Sequence, residues 1–438
     1  MRYGFLAGVG ANAVVGIVQW SGLLDVFPFE LTDGRSSGLL GNPLHLGSLC
    51  AAALILLAVD RALPGRWAYP AAALFGIGVA FSGSRSALAL VGVGVLAAAL
   101  RRSWGAMALV TTGLLVGLTA GAVWNAPGSA GGSAAARAVA HGGSIEARTA
   151  TWATALRILG DDPLTGAGPG RFRAATTAHR PLAVARAEGP DRLFVDAHNI
   201  VVEYMTTTGL PGAALLLVAL FLAFRGAADA GWLGCALVLV AAHLTAPQSV
   251  VTTPVFFLAL GLAQPRRPST LPVGRLHRAS AAMACGVGMA AGAVLLRGDF
   301  LLNEARLDVE LADARAAERL LPPWPEPARR MAIAYAFRAQ SGGGPADERR
   351  AIRWFEIAAR RSPDDPAGWS DLADRHLQNA DLPAAESAYR RALRANQYST
   401  RALNGLARTL LAGGRSGEAR QVLERSLSVD PAQRSVKD

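Results

Sequence analysis

Lysine is almost absent from this chain of 438 residues: of 43 basic side chains only Lys437 is not an arginine. Charge of either sign is scarce too, at 17% of residues, where a soluble domain carries about 25%. There are three cysteines, Cys50, Cys235 and Cys285. All lie in apolar runs and none forms a Cys-x-x-Cys pair, which argues against a zinc site or a disulfide framework. Asp-x-Asp and Walker-type phosphate loops are missing, which argues against an enzyme that takes a nucleotide-linked donor. The net charge of +11 could indicate nucleic acid, but no zinc-finger spacing or RNA-binding signature accompanies it.

What the chain has in quantity is apolar sequence, 52% of residues, with a mean hydropathy of +0.29. Runs near the length that crosses about 30 Å of hydrocarbon fall at Gly4–Leu24, Leu44–Ala62, Trp67–Ser82, Ala87–Leu100, Trp104–Trp124, Gly209–Phe224, Gly231–Ala246, Val250–Ala263 and Ser280–Leu296. Arg2 followed by the first run resembles a signal peptide, but no small-residue cleavage site clearly follows, and the run is read as a first spanning helix. With Arg2 in the cytoplasm, alternation places Arg61, Arg66, Arg101, Arg102, Arg225 and the cluster Arg266, Arg267, Arg275 and Arg278 inside, as the positive-inside rule requires. The long segment Asn125–Ala197 and everything after Leu296 then lie outside, as do Arg35 and Arg85.

The outer segment opens on a Gly/Ala/Ser stretch, Gly128–Ala136, read as flexible. Ile145–Leu159 follows with Ile145, Thr149, Trp152, Leu156 and Leu159 at helical spacing, which predicts a helix with these residues on its packed face, stopping at Gly160-Asp161-Asp162-Pro163. Eight arginines (137, 148, 157, 171, 173, 180, 186, 192) meet six acids (146, 161, 162, 188, 191, 196), too balanced for a polybasic lipid tether. The run Asp162–Gly212 is polar and rich in glycine. Such backbone cannot lie in lipid, where an unsatisfied amide costs several kcal/mol, so it belongs in water or a protein-lined cavity at the membrane surface.

Beyond residue 300 the composition turns Ala-, Arg- and Glu-rich, and a repeat of 34 residues appears. Its columns are Ala339, Ala373 and Ala407; Ala351, Ala385 and Ala419; Phe355, Tyr389 and Leu423; Ala358, Ala392 and Ser426, with Pro363, Gln397 and Pro431 closing each unit. Period and small–small–aromatic pattern are those of tetratricopeptide repeats, arrays that usually bind partners. Residues 301–328 hold a candidate degenerate fourth unit.

Three polar residues fall at the expected outer face: Arg85 within Ser82-Gly83-Ser84-Arg85-Ser86, Arg148 on the predicted loop helix, and His198 where the chain re-enters the membrane. Taken singly, Arg85 reads as well as a snorkelling arginine, Arg148 as a solvated one and His198 as a hydrogen-bonded structural histidine. Taken together, two guanidinium forks suit a phosphate or diphosphate, and an imidazole suits general-base work on a hydroxyl. Glu203 could hydrogen-bond Asn199 one helical turn earlier, or stand as a rim carboxylate. His243 and Gln248 read as packing or capping groups, and Asn42-Pro43 as a helix entry.

The order Gly41-Asn42-Pro43, Ser-Gly-Ser-Arg-Ser (82–86), Arg148 four residues before Trp152, Pro163-Leu164-Thr165-Gly166-Ala167-Gly168-Pro169-Gly170-Arg171-Phe172, His198-Asn199 and Gly209-Leu210-Pro211-Gly212 resembles the O-antigen ligase and polymerase family from about Gly16 to Ala263. The resemblance implies an all-α chain: a polytopic helix bundle with its outer loop (residues 1–296, loop 125–198), then an extracytoplasmic repeat domain (300–438). It implies glycan transfer from undecaprenyl diphosphate at the outer face of a bacterial cytoplasmic membrane, without metal, nucleotide or other cofactor. By motif position His198 would be the catalytic base and Arg85 and Arg148 would hold the donor diphosphate. Gly168 and Gly170 would be structural, and Asn199 and Glu203 would support the site. Expected partners are the lipid-linked glycan, a glycan, lipid or protein acceptor, the membrane, and a protein held by the repeats; nucleic acid is not among them. A polymerase joining lipid-linked units would use the same residues, and a non-enzymatic scaffold would need only the repeats. Family members usually have several more helices before the Gly-Asn-Pro motif, so a fragment, an internal start or a shortened member is expected.

Overall fold

A computed structural model describes residues 1–22, 35–60, 63–100, 103–123, 143–245, 251–265 and 310–436, with scattered positions between 283 and 305. The described chain is helical throughout and divides into two compact units. The first is Met1–Phe172 with Val195–Arg267, the second Arg173–Phe194 with Pro268–Asp438. Gly128–Ala136, Gln248 and most of Ser280–Leu296 lie outside the described residues.

The first unit contains α1 (Arg2–Ser21), α2 (Pro43–Asp60), α3 (Gly65–Phe81), α4 (Arg85–Leu100), α5 (Trp104–Val123), α6 (Gly143–Asp161), α9 (Ile200–Gly226), α10 (Ala230–His243) and α11 (Thr252–Leu262). By length and composition α1, α2 and α9 can cross a membrane; the fully described parts of α4 and α5, Arg85–Leu96 and Trp104–Ala120, and the helices α10 and α11 are shorter apolar stretches. Asn42 opens α2, its side-chain oxygen accepting from the Leu44 amide at 2.9 Å. That helix is apolar on every face and buried from His45 to Ala58, with α1, α3, α4, α5 and α10 around it, as a helix without a polar side must be. Gly76 of α3 faces Gly113 and Gly117 of α5 so closely that a Cβ on Gly76 would fall on the Gly113 carbonyl. Small residues of this kind let apolar helices approach backbone to backbone. Arg2 ties the two neighbouring helix ends together, pairing with Asp60 at 2.6 Å and with Asp229.

The expected span Gly209–Phe224 is corrected: α9 starts nine residues earlier, at Ile200, and Gly209-Leu210-Pro211 lies inside it as a break. Asn199 starts the helix, its side-chain oxygen accepting from the Val201 and Val202 amides at 3.0 and 3.1 Å, a cap contributing about 1 kcal/mol. Beyond the break α9 exposes the large apolar side chains Leu215, Leu217, Val218, Phe221 and Leu222.

The second unit contains α7 (Phe172–His179), α8 (Leu182–Glu188), α12 (Leu311–Leu320), α13 (Pro325–Arg338), α14 (Gly344–Arg361), α15 (Pro366–Gln378), α16 (Leu382–Ala395), α17 (Thr400–Ala412) and α18 (Ser416–Val429). Helices α13 to α18 are three stacked hairpins, each packed on the next. Ala351, Ala385 and Ala419 are fully buried, as are Ala373 and Ala407. Tyr389 fits where Gly405 leaves room for its ring. One column is corrected. Ala339 ends its helix half-exposed, and Ala332 is the buried counterpart of Ala373. Pro325 and Pro366 open α13 and α15 41 residues apart; the extra residues form the glycine-rich turn Ala339–Gly343, which shifts the register of α13 alone. Of the candidate fourth unit the described residues show α12, packed on α13 with Ala314 and Ala317 buried.

Candidate functional site

In the segment expected outside, α6 runs Gly143–Asp161 where Ile145–Leu159 is expected, but its buried face is turned. Thr151, Thr154, Ala155 and Ile158 are buried, while Leu156 is exposed and Trp152 half-buried. The small side of the helix is the one that packs, bringing it close to α9. Trp152 meanwhile donates its indole N–H to the Ala197 carbonyl at 2.8 Å.

The glycine-rich motif after α6 is a turn that completes α9. Asp162 closes it, accepting from the Thr165 amide at 3.1 Å and the Thr165 hydroxyl at 2.6 Å; these bonds hold its carboxyl pKa below the usual value. In an unbroken helix the Leu210 N–H would donate to the Thr206 carbonyl. Here Leu210 donates to the Pro163 carbonyl and Thr206 accepts from the Ala167 amide, both at 2.8 Å. The turn thus satisfies both groups that the break exposes, as a buried backbone demands. Gly166 and Gly209, both at positive φ, make the contact: a Cβ on Gly166 would sit 2.8 Å from the Gly209 nitrogen. Gly168 and Gly170 also have positive φ, 95° and 74°.

The histidine stands on a second turn, Asp196–Asn199. Its imidazole Nδ1 lies 2.6 Å from Asp196 Oδ1, and its backbone N–H donates to the same oxygen at 2.7 Å. His198 has φ of 51°, a left-handed conformation uncommon for residues other than glycine and sustained by the surrounding contacts. Ala197 before it is pinned by Trp152 at its carbonyl and by Glu203 Oε2, which accepts its amide at 2.9 Å. Asn199 after it caps α9 and donates its side-chain amide to the Leu244 carbonyl at 3.3 Å. Glu203, for which a bond to Asn199 and a rim position were both open, accepts instead from the Ala197 amide. With Nδ1 engaged by a carboxylate, Nε2 is the nitrogen left for a substrate proton.

Arg85 is exposed at the start of α4, the Ser84 hydroxyl beneath it accepting from the Ala87 amide at 3.2 Å. Burial holds the Arg148 pKa below its ordinary value; the nearby Arg85 charge acts the same way and Asp196 opposes both. Arg148 is thus in electrostatic range of Arg85 and of the carboxylate that carries His198, and Glu203 interacts with Asp196 and His198. Hydrogen bonds join His198, Asn199 and Glu203 at one turn, and Arg85 and Arg148 lie near enough to one another for their charges to interact. The fold adds Asp196, whose spacing in Asp-Ala-His-Asn is a side-chain turn signal. His243 is a packing histidine, bonded to the Leu239 carbonyl at 2.6 Å and to Thr253 at 3.1 Å. Among the described residues no cluster of side chains has the makings of a metal site.

Compared with known families, residues 70–217 match the family model described as O-antigen ligase, and residues 376–438 match that of the tetratricopeptide repeat. No curated protein matches the chain.

Proposed function

We propose, for a chain that is an integral membrane protein with an O-antigen ligase domain at residues 70–217 and tetratricopeptide repeats behind it, that it transfers a glycan from undecaprenyl diphosphate to an acceptor hydroxyl. The reaction is placed at the extracytoplasmic face of a bacterial cytoplasmic membrane, with about nine spans and the repeat domain outside. Its support is the arginine placement in the sequence.

The observation that carries the proposal is the histidine turn in which Asp196 holds His198, with the charges of Arg85 and Asp196 both acting on Arg148. His198 Nε2 takes the proton of the acceptor hydroxyl as its oxygen attacks the anomeric carbon. The bond from that carbon to the diphosphate oxygen breaks, and its electron pair leaves on the diphosphate. Arg85 and Arg148 stabilise that growing charge, a task for guanidinium forks. Two cations held near one another want an anion between them; this is why Arg148, burdened by burial and by Arg85, suits a doubly charged ligand. Asp196 fixes the ring and steadies the imidazolium.

The test is transfer from purified lipid-linked glycan by protein in nanodiscs. His198→Ala should lose on the order of 10²–10⁴ in rate. Arg85→Ala and Arg148→Ala should each lose activity, with Lys restoring part of it, since an ammonium keeps charge without the fork. Transfer at the wild-type rate by His198→Ala would sink the mechanism. A repeat-unit polymerase would use the same network, and a ladder of chain lengths in the product would identify it.

A further inference from the structure

Residues 173–194 belong to the outer segment by sequence, yet they fold as part of the repeat domain. Their partners cluster around the ends of the second helix of each hairpin. Ser362 and Asn396, 34 residues apart, follow the last residues of α14 and α16, and Ser428 lies near the end of α18. Arg173 donates to the Ser362 hydroxyl at 2.7 Å. Asn396 donates to the Pro190 carbonyl at 2.9 Å. Asp191 accepts from the Ser399 and Thr400 hydroxyls at 2.5 and 2.9 Å, and Arg186 donates to the Ser428 carbonyl at 3.0 Å. Arg180 is buried beneath these contacts, 2% exposed, donating to the Pro190 carbonyl at 2.7 Å and lying over the Tyr398 ring. Asn396, Ser399 and Thr400 are buried too. The segment therefore lies along one edge of the array, across three successive repeats. The cavity of about 380 Å³ lined by Arg329, Phe337, Asp371, Asp374 and Arg401 shares none of these residues.

We infer that this edge of the repeat array is a receptor for residues 173–194 of the same chain, and that by holding them it positions the histidine turn. Phe194 is the last residue of the held segment, and Asp196, which bonds His198, is two residues on. The repeats are then a working part of the transferase, with their groove left for a partner. The positioning half of the inference rests on the function proposed for His198; the docking half does not.

The experiment uses the full chain in nanodiscs and the variant Asp191→Ala, which removes the acceptor of two buried hydroxyls from the segment and leaves the capping groups of the repeat helices in place. Asp191→Asn, which can still accept one hydroxyl bond, is the conservative comparison. Three readouts are taken: hydrogen exchange of residues 173–194, modification of His198 by diethyl pyrocarbonate mapped by mass spectrometry, and transfer kinetics. Expected for Asp191→Ala are exchange faster by about tenfold in 173–194 with α13–α18 unchanged, His198 modification several-fold faster, and a lower kcat at an unchanged KM for the donor. Asp191→Asn should fall between it and wild type. Unaltered exchange in Asp191→Ala and in the double variant Arg173→Ala/Asp191→Ala would overturn the docking. Faster exchange with unchanged His198 modification would overturn the positioning. Full transfer by His198→Ala would instead defeat the proposed chemistry, while exchange and modification would still decide the docking.

Discussion

At the scale of single residues, the site depends on a turn that the chain would not adopt unaided. A left-handed histidine costs about 1–2 kcal/mol, and five polar contacts at Asp196, Ala197 and Asn199 hold it there. Asp196 makes two of them with one oxygen, so Asp196→Ala should release both the ring and the backbone. We expect a fall in kcat of about a hundredfold, the cost typical of a misplaced catalytic group, with KM for the donor little changed; steady-state kinetics over a range of donor concentrations checks it. An unchanged kcat would mean that the turn holds His198 without this carboxylate. The order of motifs and the apolar runs singled out Arg85, Arg148 and His198 in the sequence. Asp196 was hidden because, counted among six acids of a balanced loop, nothing in its composition distinguished it; only its distance of two residues from a histidine did. The partner of Glu203 was left open between Asn199 and solvent because helical spacing points to Asn199, whereas a side chain at the first turn of a helix can also reach back past its start, as it does to the Ala197 amide.

Among the elements, the exchange of hydrogen bonds between the Asp162–Arg171 turn and the broken helix α9 is the joint on which the outer segment is mounted. Gly166→Ala should disturb it twice, by a Cβ against the Thr206 carbonyl and Gly209 nitrogen and by a φ of 62° that alanine resists. A loss of about 2–4 kcal/mol follows, read as a lower midpoint of thermal unfolding for the first unit. Gly170→Ala, whose Cβ would meet nothing within 4 Å, should cost only the strain of its φ, and a smaller shift than Gly166→Ala is the check. The resemblance implied a structural role for Gly168 and Gly170 and the sequence showed the order of the two glycine motifs, but not that they meet: pairing across the 42 residues between Gly166 and Gly209 leaves no periodic trace. The helix α6 was legible in extent and not in rotation, since threonine and alanine form its packed side and the larger apolar residues do not.

For the whole molecule, a 34-residue period was enough to read the repeat domain, because each hairpin buries the same small residues against the next. Where the period failed, at Ala339, an inserted turn had shifted one helix, and only Ala332 inside the fold reveals the shift. Tyr389 is the most demanding of these packed residues, fully buried, fitted to Gly405 and hydrogen-bonded to Asp374. Tyr389→Ala should destabilise the repeat unit by about 3–5 kcal/mol and leave the first unit's unfolding where it was, as hydrogen exchange resolved by region would show. A shift in both would mean that the two unfold as one.

The docking of residues 173–194 on the repeats also fixes an order of events during synthesis. Asp191 and its partner Ser399 are 208 residues apart, and at about 5–20 residues per second a ribosome needs roughly 10–40 seconds to make the interval. For that time the segment exists without the surface that receives it, its arginines and Asp191 solvated. The histidine turn, complete in sequence by residue 199, waits on the last third of the chain before the strand leading into it is held.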